Sequence, residues 1–342
     1  MTNLQDNNQI SPTVVITNYA FSEGILKKNK HTIAKESWNN AKETSAGHLA
    51  GMLKSIRHLP NDDTRGMIIA IVPTSWIIND TTKKFREQLL REAFIEEIEF
   101  LDQSYFEIDK PTCIVTLKRK KFGSGETHII NFWQGQIVES TVKDPESEDL
   151  GFFYSDEHVK LVKAMERADY PNFDVTAGHG KEKKHLTHYS EVKTDTHIHP
   201  CISRLGVKEG EVYEEKCFTS QYKPKYSKPK VLVPADTGDP NKNSLCSIRH
   251  KMIDEDSQFT KTINGILCKD QTSAQLVSNL LDTGFYQMYL AAKRADRNLT
   301  APTLRKLKMP DLNPNFTRNE LKNAFNLEED TLNWIEKTYG RY

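Results

Sequence analysis

The sequence predicts an α/β fold between residues 12 and 120, followed by a loop-rich α+β region. In the first part, short apolar runs alternate with stretches whose apolar residues recur at helical spacing, an order typical of a sheet covered by helices. From about residue 121 the candidate strands become short and irregularly spaced, and long polar connections separate them. A chain of 342 residues is long enough for two such domains.

The composition excludes several kinds of protein without selecting a partner. Lys+Arg and Asp+Glu number 47 each, so a surface that binds nucleic acid would require basic residues segregated on one face. The five cysteines are scattered and form no CxxC pair, which argues against a disulfide framework and a zinc ribbon. The segment MTNLQDNNQI lacks the pattern of a signal peptide, and no apolar run approaches the roughly 20 residues of a membrane span. We therefore expect a soluble intracellular protein.

The first part contains predicted strands and two clear helices. The strands are the runs at Val14–Ile16, "GMIIAIVP" at 66–73, "IEEIEFLD" and "TCIVTLKRK". The first helix, in "AGHLAGMLKSIRHLP", ends before Pro60, and the second, in "DTTKKFREQLLREA", has Asp80 or Thr81 as its cap. This order predicts a largely parallel sheet covered on both faces.

The second part is predicted as a separate domain with a helical tail. Its strand candidates are "THIINFW", "GQIVEST" and "KVLVPA", and its end, "SAQLVSNLLDTGFYQMYLAAKRA", is predicted to be helical. After Pro310 two short helices follow, with Thr317 and Asn326 as candidate caps. The predicted domains are 1–120, 121–312 and 313–342.

Asn18 and Phe21 follow the first strand, at the end where open α/β sheets place their ligands. The Asn carboxamide offers one acceptor and two donors, and the Phe ring offers a face for stacking. Together they suit a flat heterocycle that carries an amino group. An ordinary strand-to-loop turn, in which Phe21 only packs, is the alternative that these residues leave open.

The segment "ITNYAF" resembles the catalytic motif of DNA methyltransferases that modify amino groups, in which Asn/Asp-Pro-Pro-Tyr/Phe follows an apolar strand. Three later segments are similar to the adenine-specific branch of that family in order and spacing: "GMIIAIVPTSWI", "KFREQLLREAFIEEIEFLDQSYF" and "KPTCIVTLKRK". Farther along, "KPKVLVP", "FYQMYLAAKRADRNLTAPTLRKLKMPDLN" and "NELKNAFNLEEDTLNWIE" resemble the target-recognition domains and terminal helices of modification enzymes. The resemblance covers nearly the whole chain and implies a partial Rossmann-like methyltransferase sheet followed by an α+β target-recognition domain.

The resemblance implies transfer of a methyl group from S-adenosylmethionine to the amino nitrogen of an adenine flipped out of double-stranded DNA. The Asn18 side-chain oxygen and the Tyr19 carbonyl would accept hydrogen bonds from that amino group, and Phe21 would stack on the ring. The same pocket would be lined by three residues at the end of the next strand: Pro73, Ser75 and Trp76.

Two departures from the family pattern bear on activity. Tyr19 and Ala20 stand where the family has two prolines, which fix the backbone and hold the first carbonyl in place. Only seventeen residues precede Asn18, too few for the donor-binding half that normally comes first. Neither "FGSG" at 122–125, interpreted as a hairpin turn, nor "ADTGDPNKN" at 235–243 is followed by the helix that a Gly-rich donor turn requires. We therefore expect a partner subunit to bind most of the S-adenosylmethionine.

Two segments concentrate lysine with interleaved tyrosine or histidine: "GHGKEKKHLTHY" and "YKPKYSKPK". Such segments suit contacts with phosphates and base edges, although solvated loops are the other interpretation. The candidate DNA-binding residues are Lys181, Lys183, Lys184, Lys223, Lys225, Lys228 and Lys230.

The motif "TDTHIHP" at 194–200 contains a His-x-His pair of the kind found in metal-dependent hydrolases. Such sites need an apolar strand before the pair and further ligands on later strands, whereas the preceding "SEVKTDT" is polar. We expect a polar loop here and predict no metal site.

These observations lead to one leading hypothesis and two alternatives. The chain is predicted to be a half or a subunit of a site-specific DNA adenine methyltransferase of a restriction–modification system, acting as a heteromer in the cytoplasm of a bacterial, archaeal or phage-infected cell. The first alternative is a catalytically inactive DNA-binding or specificity protein of a restriction–modification or phage-encoded assembly. The second is an unrelated small-molecule hydrolase built on the His-x-His pair.

Overall fold

The computed structural model describes residues 14–18, 47–60, 66–101, 111–133, 135–179, 189–208, 211–235, 248–253, 256–294 and 299–340. The chain divides into two compact units, 1–159 and 160–342. Within the described ranges, no helix combines the length and the apolar character that crossing a membrane requires.

The first unit is built on one sheet. Its strands are β1 (Val14–Asn18), β2 (Met67–Pro73), β3 (Ala93–Phe100), β4 (Thr112–Arg119), β5 (Glu126–Trp133) and β6 (Gln136–Lys143). They lie in the order β1-β2-β4-β3-β5-β6. The helices are α1 (Gly47–His58), α2 (Ser75–Ile78) and α3 (Lys83–Glu92), and α4 (Asp156–Arg167) begins at the end of the unit.

The sheet is mixed, so the prediction of a largely parallel sheet is wrong. β1 is parallel to β2 and β3 is parallel to β5, whereas β4 lies between β2 and β3 and is antiparallel to both. Residues 101–111 alone connect β3 to β4. Because a parallel crossover needs about a dozen residues or more, usually with a helix, β4 returns in the opposite direction. The carboxyl ends of β1, β2, β3 and β5 therefore lie at one edge of the sheet.

The first sheet includes two strands that the sequence analysis places in the second domain. β5 pairs in parallel with the end of β3, and β6 pairs with β5. The sheet therefore continues past the predicted boundary at 120/121, which falls between β4 and β5. The segment 122–125 is followed by a strand, as predicted, but it is not a hairpin turn, because β3 separates β4 from β5.

Apolar faces explain why α1 and α3 form and where they pack. α1 buries the four residues whose spacing predicts it: Leu49, Met52, Leu53 and Ile56. At roughly 1.5–3 kcal/mol for each fully buried side chain, this face stabilises a helix that would be marginal in isolation. A single 3-10 turn at Asp80–Thr82 precedes α3, so the predicted cap at Asp80 or Thr81 is wrong. The helix begins instead after Thr82, whose hydroxyl donates to main-chain carbonyls.

The second unit contains two sheets that share a core. Its strands are β7 (Val175–Ala177), β8 (Tyr189–Ser190), β9 (His199–Lys208), β10 (Glu211–Thr219), β11 (Lys230–Pro234), β12 (Lys251–Ile253), β13 (Gln258–Phe259) and β14 (Ile263–Leu267). They form two four-stranded sheets, β13-β9-β10-β8 and β12-β11-β14-β7. The shared core contains Ile202, Leu205, Tyr226, Leu232, Ile253, Phe259 and Ile263. The predicted strand "KVLVPA" is confirmed as β11.

The later helices are α5 (Gln271–Leu281), α6 (Gly284–Ala292), α7 (Ala301–Leu304), α8 (Arg318–Phe325) and α9 (Glu329–Tyr339). α5 and α6 form in the segment predicted as helical, and they are two helices because the Thr283 side chain accepts from the Tyr286 N–H and starts a new helix. Thr317 caps α8 in a capping box with Glu320, as predicted. Asn326 ends α8 at a φ of 49° rather than beginning α9. α9 packs on α6, so the helical tail belongs to the second unit.

Candidate functional site

The carboxyl edge of the first sheet brings the end of β1 next to the end of β2. The two strands are parallel, and Asn18, the last residue of β1, pairs with Ile71. β2 continues two residues farther to Pro73, a distance of about 7 Å at roughly 3.3 Å per residue. β1 therefore ends two residues before the end of β2, on the same side of the sheet. Tyr19 and Phe21 lie outside the described residues.

The predicted base-pocket residues lie at different depths around this edge. Pro73 is buried at the end of β2, and Ser75, the first residue of α2, is partly exposed. Trp76 is completely buried, and its ring meets Phe85 of α3 edge to face with the ring centroids 6.0 Å apart. The structure therefore places Trp76 in the core beneath the edge, not in the wall of a pocket as predicted.

A buried arginine, Arg86 of α3, holds the turn that follows β2. Its Nη1 donates to the carbonyl oxygen of Trp76 at 2.9 Å, to that of Asn79 at 2.8 Å and to Thr82 Oγ1 at 3.0 Å. Its Nε donates to the carbonyl of Ser147, in the segment after β6, at 3.2 Å. One guanidinium thus ties the end of β2 to the segment beyond β6.

Arg86 was not among the predicted site residues, although the sequence contains a signal for it. It lies between Phe85 and Leu89 on the stripe that the helical period assigns to the core. Burial lowers the pKa of its guanidinium, and the nearby Glu148 partly opposes this effect. The group remains protonated at neutral pH because arginine is effectively never deprotonated in proteins. A charged residue on a buried face must find partners, and here they are main-chain carbonyls.

β1 is the outermost strand of the sheet and exposes apolar side chains. In the described part of the chain, β1 pairs only with β2. Val14 is 45% exposed and Ile16 is 78% exposed. Residues two apart on a strand point to the same face, so the two side chains form one apolar strip. An exposed apolar edge strand favours association with another segment.

The predicted DNA-binding lysines fall into three groups. Lys181, Lys183 and Lys184 lie outside the described residues. Lys223, Lys225 and Lys228 lie in and beside the 3-10 turn Pro224–Ser227, which leads into β11. Lys230 is completely buried, and its Nζ donates to the carbonyls of Tyr226 at 2.7 Å and Lys228 at 3.3 Å. The prediction that Lys230 contacts DNA is therefore wrong, because its ammonium stabilises the turn from inside.

The ammonium groups of Lys223 and Lys225 both make cation–π contacts with the ring of Tyr226, whose side chain anchors the turn. Their Nζ atoms lie 5.3 and 5.5 Å from the centroid of that ring. Lys225 Nζ also donates to Thr176 Oγ1 at 2.8 Å, and the Tyr226 hydroxyl donates to the Ala177 carbonyl at 2.8 Å. These contacts hold both ammonium groups in place before any ligand binds, which lowers the entropy lost on binding.

The lysines of this turn differ from lysines elsewhere in the chain. Several others are paired with carboxylates: Lys118–Glu96, Lys160–Glu328, Lys293–Glu166 and Lys322–Glu329. Among the residues that the structure describes, Lys223, Lys225 and Lys228 make no ion pair with a carboxylate. The chain has no net charge, and this turn concentrates three lysines that suit phosphate binding, beside one carboxylate, Asp256, which accepts from Ser227 Oγ at 2.9 Å.

The His-x-His segment forms a polar turn next to an aromatic pair. The Thr194 N–H donates to the His197 carbonyl at 3.2 Å, and the His197 N–H donates to Thr194 Oγ1 at 3.0 Å. His199 stacks on Tyr222 with ring centroids 4.7 Å apart. Over the described ranges, no group of three or more His, Cys, Asp or Glu residues is suited to hold a metal ion.

The glycine-containing segment 122–125 is not suited to bind S-adenosylmethionine. It leads into strand β5, whereas a Gly-rich donor turn opens a helix. A Cβ added at Gly123 would lie 2.0 Å from Cγ of Phe94, so this glycine is needed for packing. The segment 235–243 lies almost entirely outside the described residues. Of these two segments, the one that the structure describes in full is therefore not a Gly-rich donor turn.

No protein-family model matches the chain, and no curated protein matches it in sequence. Solved structures do match it. The type IIL restriction-modification enzyme MmeI in complex with DNA superposes with a TM-score of 0.56 at 10% identity, covering 95% of this chain and 51% of that one. The type IIG restriction endonuclease BpuSI matches with a TM-score of 0.34 at 12% identity, covering 92% and 48%. A nuclease-deletion mutant of the Type ISP enzyme LlaGI matches with a TM-score of 0.45 at 8% identity, covering 85% and 40%.

The likeness to MmeI shows the fold. The chain spans about half the length of that enzyme, and at 10% identity the likeness extends to the fold alone. The predicted fold class is confirmed: a partial Rossmann-like methyltransferase sheet of mixed strand direction, followed by an α+β region, as in restriction–modification enzymes.

Proposed function

We propose that the chain is a half or a subunit of a site-specific DNA adenine methyltransferase. It supplies the Asn-x-x-Phe motif and a surface that binds and recognises double-stranded DNA. A partner subunit supplies most of the S-adenosylmethionine site. The observation that carries this proposal is the parallel register of β1 and β2, which sets Asn18 beside the end of β2 at the edge where α/β sheets bind their ligands.

The residues of the motif have separate tasks in this proposal. The amino nitrogen of adenine is a weak nucleophile, because its lone pair is delocalised into the ring. The side-chain oxygen of Asn18 and the carbonyl of Tyr19 accept hydrogen bonds from that amino group and return electron density to the nitrogen. Phe21 stacks on the flipped base and holds it in line for methyl transfer. Pro73 and Ser75 border the same edge.

Arg86 supports this chemistry from the core. It binds the carbonyls of Trp76 and Asn79 and so fixes the turn that carries Ser75. A displacement of about 1 Å at a reacting centre can lower a rate by roughly two orders of magnitude, so a fixed turn matters for catalysis. Arg86 is a positioning residue in this proposal and does not touch the base.

The exposed apolar strip on β1 supports the proposal that a partner subunit binds there. Val14 and Ile16 would each contribute roughly 1.5–3 kcal/mol if a partner covered them completely. The partner brings the methyl donor, S-adenosylmethionine, to the carboxyl edge of the sheet. The segment 122–125 leads into a strand and not into a helix, which supports assigning the base to this chain and the donor to its partner.

The lysines of the 222–228 turn support DNA binding. Three phosphate contacts by Lys223, Lys225 and Lys228 would give a slope of about −2.7 in a plot of log binding constant against log salt concentration. Fixed ammonium groups without carboxylate partners suit this role, since no ion pair has to be broken when the phosphates bind.

The substitutions within the motif favour one alternative function. Tyr19 and Ala20 lack the fixed φ of the prolines that they replace, so the backbone does not hold the Tyr19 carbonyl in the same way. A catalytically inactive DNA-binding or specificity protein would keep the lysine surface and lose methyl transfer. DNA binding alone does not separate the two functions.

Methyl transfer by the chain together with its partner separates them. The chain is co-expressed with the polypeptide that co-purifies with it, and labelled methyl transfer from S-adenosylmethionine to duplex DNA is measured. We expect Asn18→Ala to lower methyl transfer by about 100-fold or more, as loss of a group that stabilises developing charge does, while DNA affinity stays unchanged. Asn313→Ala, at an exposed amide of the second unit, is the matched control.

Two outcomes would overturn the assignment in different ways. Normal methylation with alanine at position 18 would exclude Asn18 as a catalytic residue. DNA binding by the wild-type assembly without binding of S-adenosylmethionine or methyl transfer would establish the inactive DNA-binding protein instead.

A further inference from the structure

The segment Val192–Ile198, termed the 192–198 loop, is a preorganised turn with a polar tip. Its tip is closed by the hydrogen bonds between Thr194 and His197. The Nδ1 atom of His197 lies 3.0 Å from both Thr194 Oγ1 and Thr196 Oγ1, which sets the orientation of the imidazole. The tip therefore has a defined shape before any ligand binds, and ordering it costs little on binding.

The loop exposes apolar side chains next to hydrogen-bonding side chains. Val192 and Ile198 flank the tip and are 67% and 47% exposed. Asp195 and Thr196 are exposed at the tip, and Asp195 makes no ion pair in the part of the chain that the structure describes. Apolar groups beside exposed hydrogen-bonding groups form a surface that matches the edges of base pairs in a major groove.

The loop and the lysine turn lie at the same end of one sheet. Thr219, the last residue of β10, pairs with both Tyr189 of β8 and His199 of β9, the strands between which the loop runs. The chain then continues from Thr219 into the lysine turn. His199 stacks on Tyr222, with an angle of 29° between the rings, and Tyr222 directly precedes Lys223. The loop is thus continuous with the lysine turn.

We propose that the 192–198 loop reads base-pair edges in the major groove of duplex DNA, an inference that rests on the proposed function. The lysines of the 222–228 turn bind phosphates and set the register of the protein on the duplex. The carboxylate of Asp195 accepts a hydrogen bond from the exocyclic amino group of a base, with cytosine the best match. Thr196 adds a hydroxyl, and Val192 and Ile198 contact thymine methyl groups.

The proposal is tested by selecting bound duplexes from a random-sequence pool with the full chain and its partner. The wild type is expected to enrich one site. Asp195→Ala should lower discrimination at one base pair by about 5- to 100-fold and leave the salt slope unchanged, because it removes a base contact and no phosphate contact. Asp195→Asn should shift the preference at that base pair toward adenine, since Asn can bind adenine N6 and N7 together.

The controls separate this inference from the proposed function. Asp311→Ala removes an exposed carboxylate elsewhere in the second unit and should select the wild-type site. Lys228→Ala should weaken binding to all duplexes alike and reduce the salt slope by about 1. If both Asp195 variants select the wild-type site with unchanged discrimination, the loop does not read bases, although the protein binds DNA. If the wild type binds no duplex, the proposed function itself fails and the loop inference fails with it.

Discussion

The Nη1 atom of Arg86 lies 2.9 Å from the carbonyl oxygen of Trp76 and donates a hydrogen bond to it inside the core of the first unit. This contact spans ten positions of the chain and closes the turn after β2. The end of β2 therefore depends on a side chain that sits on a helix and that never reaches the sheet edge.

Arg86→Ala would remove the guanidinium that donates to the carbonyls of Trp76, Asn79 and Ser147, whereas the Thr82 hydroxyl would still donate to the first two. We expect it to lower the free energy of unfolding by about 3 kcal/mol, since hydrogen bonds from charged groups contribute about 1.5–3 kcal/mol. Urea unfolding monitored by circular dichroism measures this change. Arg91→Ala, exposed on the same helix, should change the free energy by at most about 0.5 kcal/mol. Equal losses of unfolding free energy in the two variants would show that the hydrogen bonds of Arg86 contribute nothing to stability.

Lys228 and Lys230 are two positions apart and should respond in opposite ways to alanine substitution. Lys230→Ala removes a buried side chain and the donor to the Tyr226 carbonyl, so we expect a loss of about 2–4 kcal/mol in the free energy of unfolding. Lys228→Ala should leave stability within about 0.5 kcal/mol and weaken duplex binding in a salt-dependent way. Denaturant unfolding and duplex binding at two salt concentrations test the pair. A stable Lys230→Ala protein with weakened DNA binding would contradict the assignment.

Two glycines test how tightly the second unit is packed. A Cβ at Gly178 would lie 2.0 Å from the main-chain oxygen of Thr260, which cannot move without its strand. A Cβ at Gly206 would lie 2.4 Å from Cζ of the Tyr213 ring, the outer end of a side chain that is 40% exposed. We expect Gly178→Ala to cost about 3 kcal/mol and Gly206→Ala about 1 kcal/mol or less, a ranking that thermal unfolding of both variants measures. The reverse order would show that the backbone at Gly178 yields more easily than the ring.

The helical tail should lose stability in acid through Glu329. Hydrogen bonds from Arg318 and Lys322 lower the pKa of Glu329 to about 2. Because the folded pKa lies below the unfolded value of about 4.3, the stabilisation is complete above the unfolded pKa and is lost as the pH falls toward 2. Glu329→Gln should therefore unfold more easily than the wild type at pH 7, and the difference should shrink through pH 2 and disappear below it. Asp330→Asn, at the next residue, should show no such convergence.

The sequence predicts the elements that local patterns determine. The spacing of Leu49, Met52, Leu53 and Ile56 specifies α1, and the run at 66–73 specifies β2, because burial of a continuous face is a local property. The position of β4 between β2 and β3 is not local. It depends on hydrogen bonds between strands that are distant in sequence, so element order alone predicted the wrong strand directions.

The site was predictable to a similar extent. Asn18 at the end of an apolar strand predicts a ligand edge; the structure places Asn18 at the end of β1 beside β2, and its role in binding stays a prediction. The burial of Lys230 was not predictable from composition, because Lys228 and Lys230 both adjoin Pro229 and only the fold buries one of them. Arg86 could have been found from its place on the buried stripe of α3, since a charge there needs a partner.

The antiparallel position of β4 has a consequence for how this edge can vary. β3 ends and β4 begins at the same edge as Asn18, and the turn between β5 and β6 at Gly135 opens there too. A Cβ added at Gly135 would meet no atom within 4 Å, so this turn has space around it. Insertions at 102–110 or beside Gly135 would lengthen the loops at this edge and leave every strand pair intact. One scaffold can therefore acquire new contacts with its substrate by changes in loop length alone.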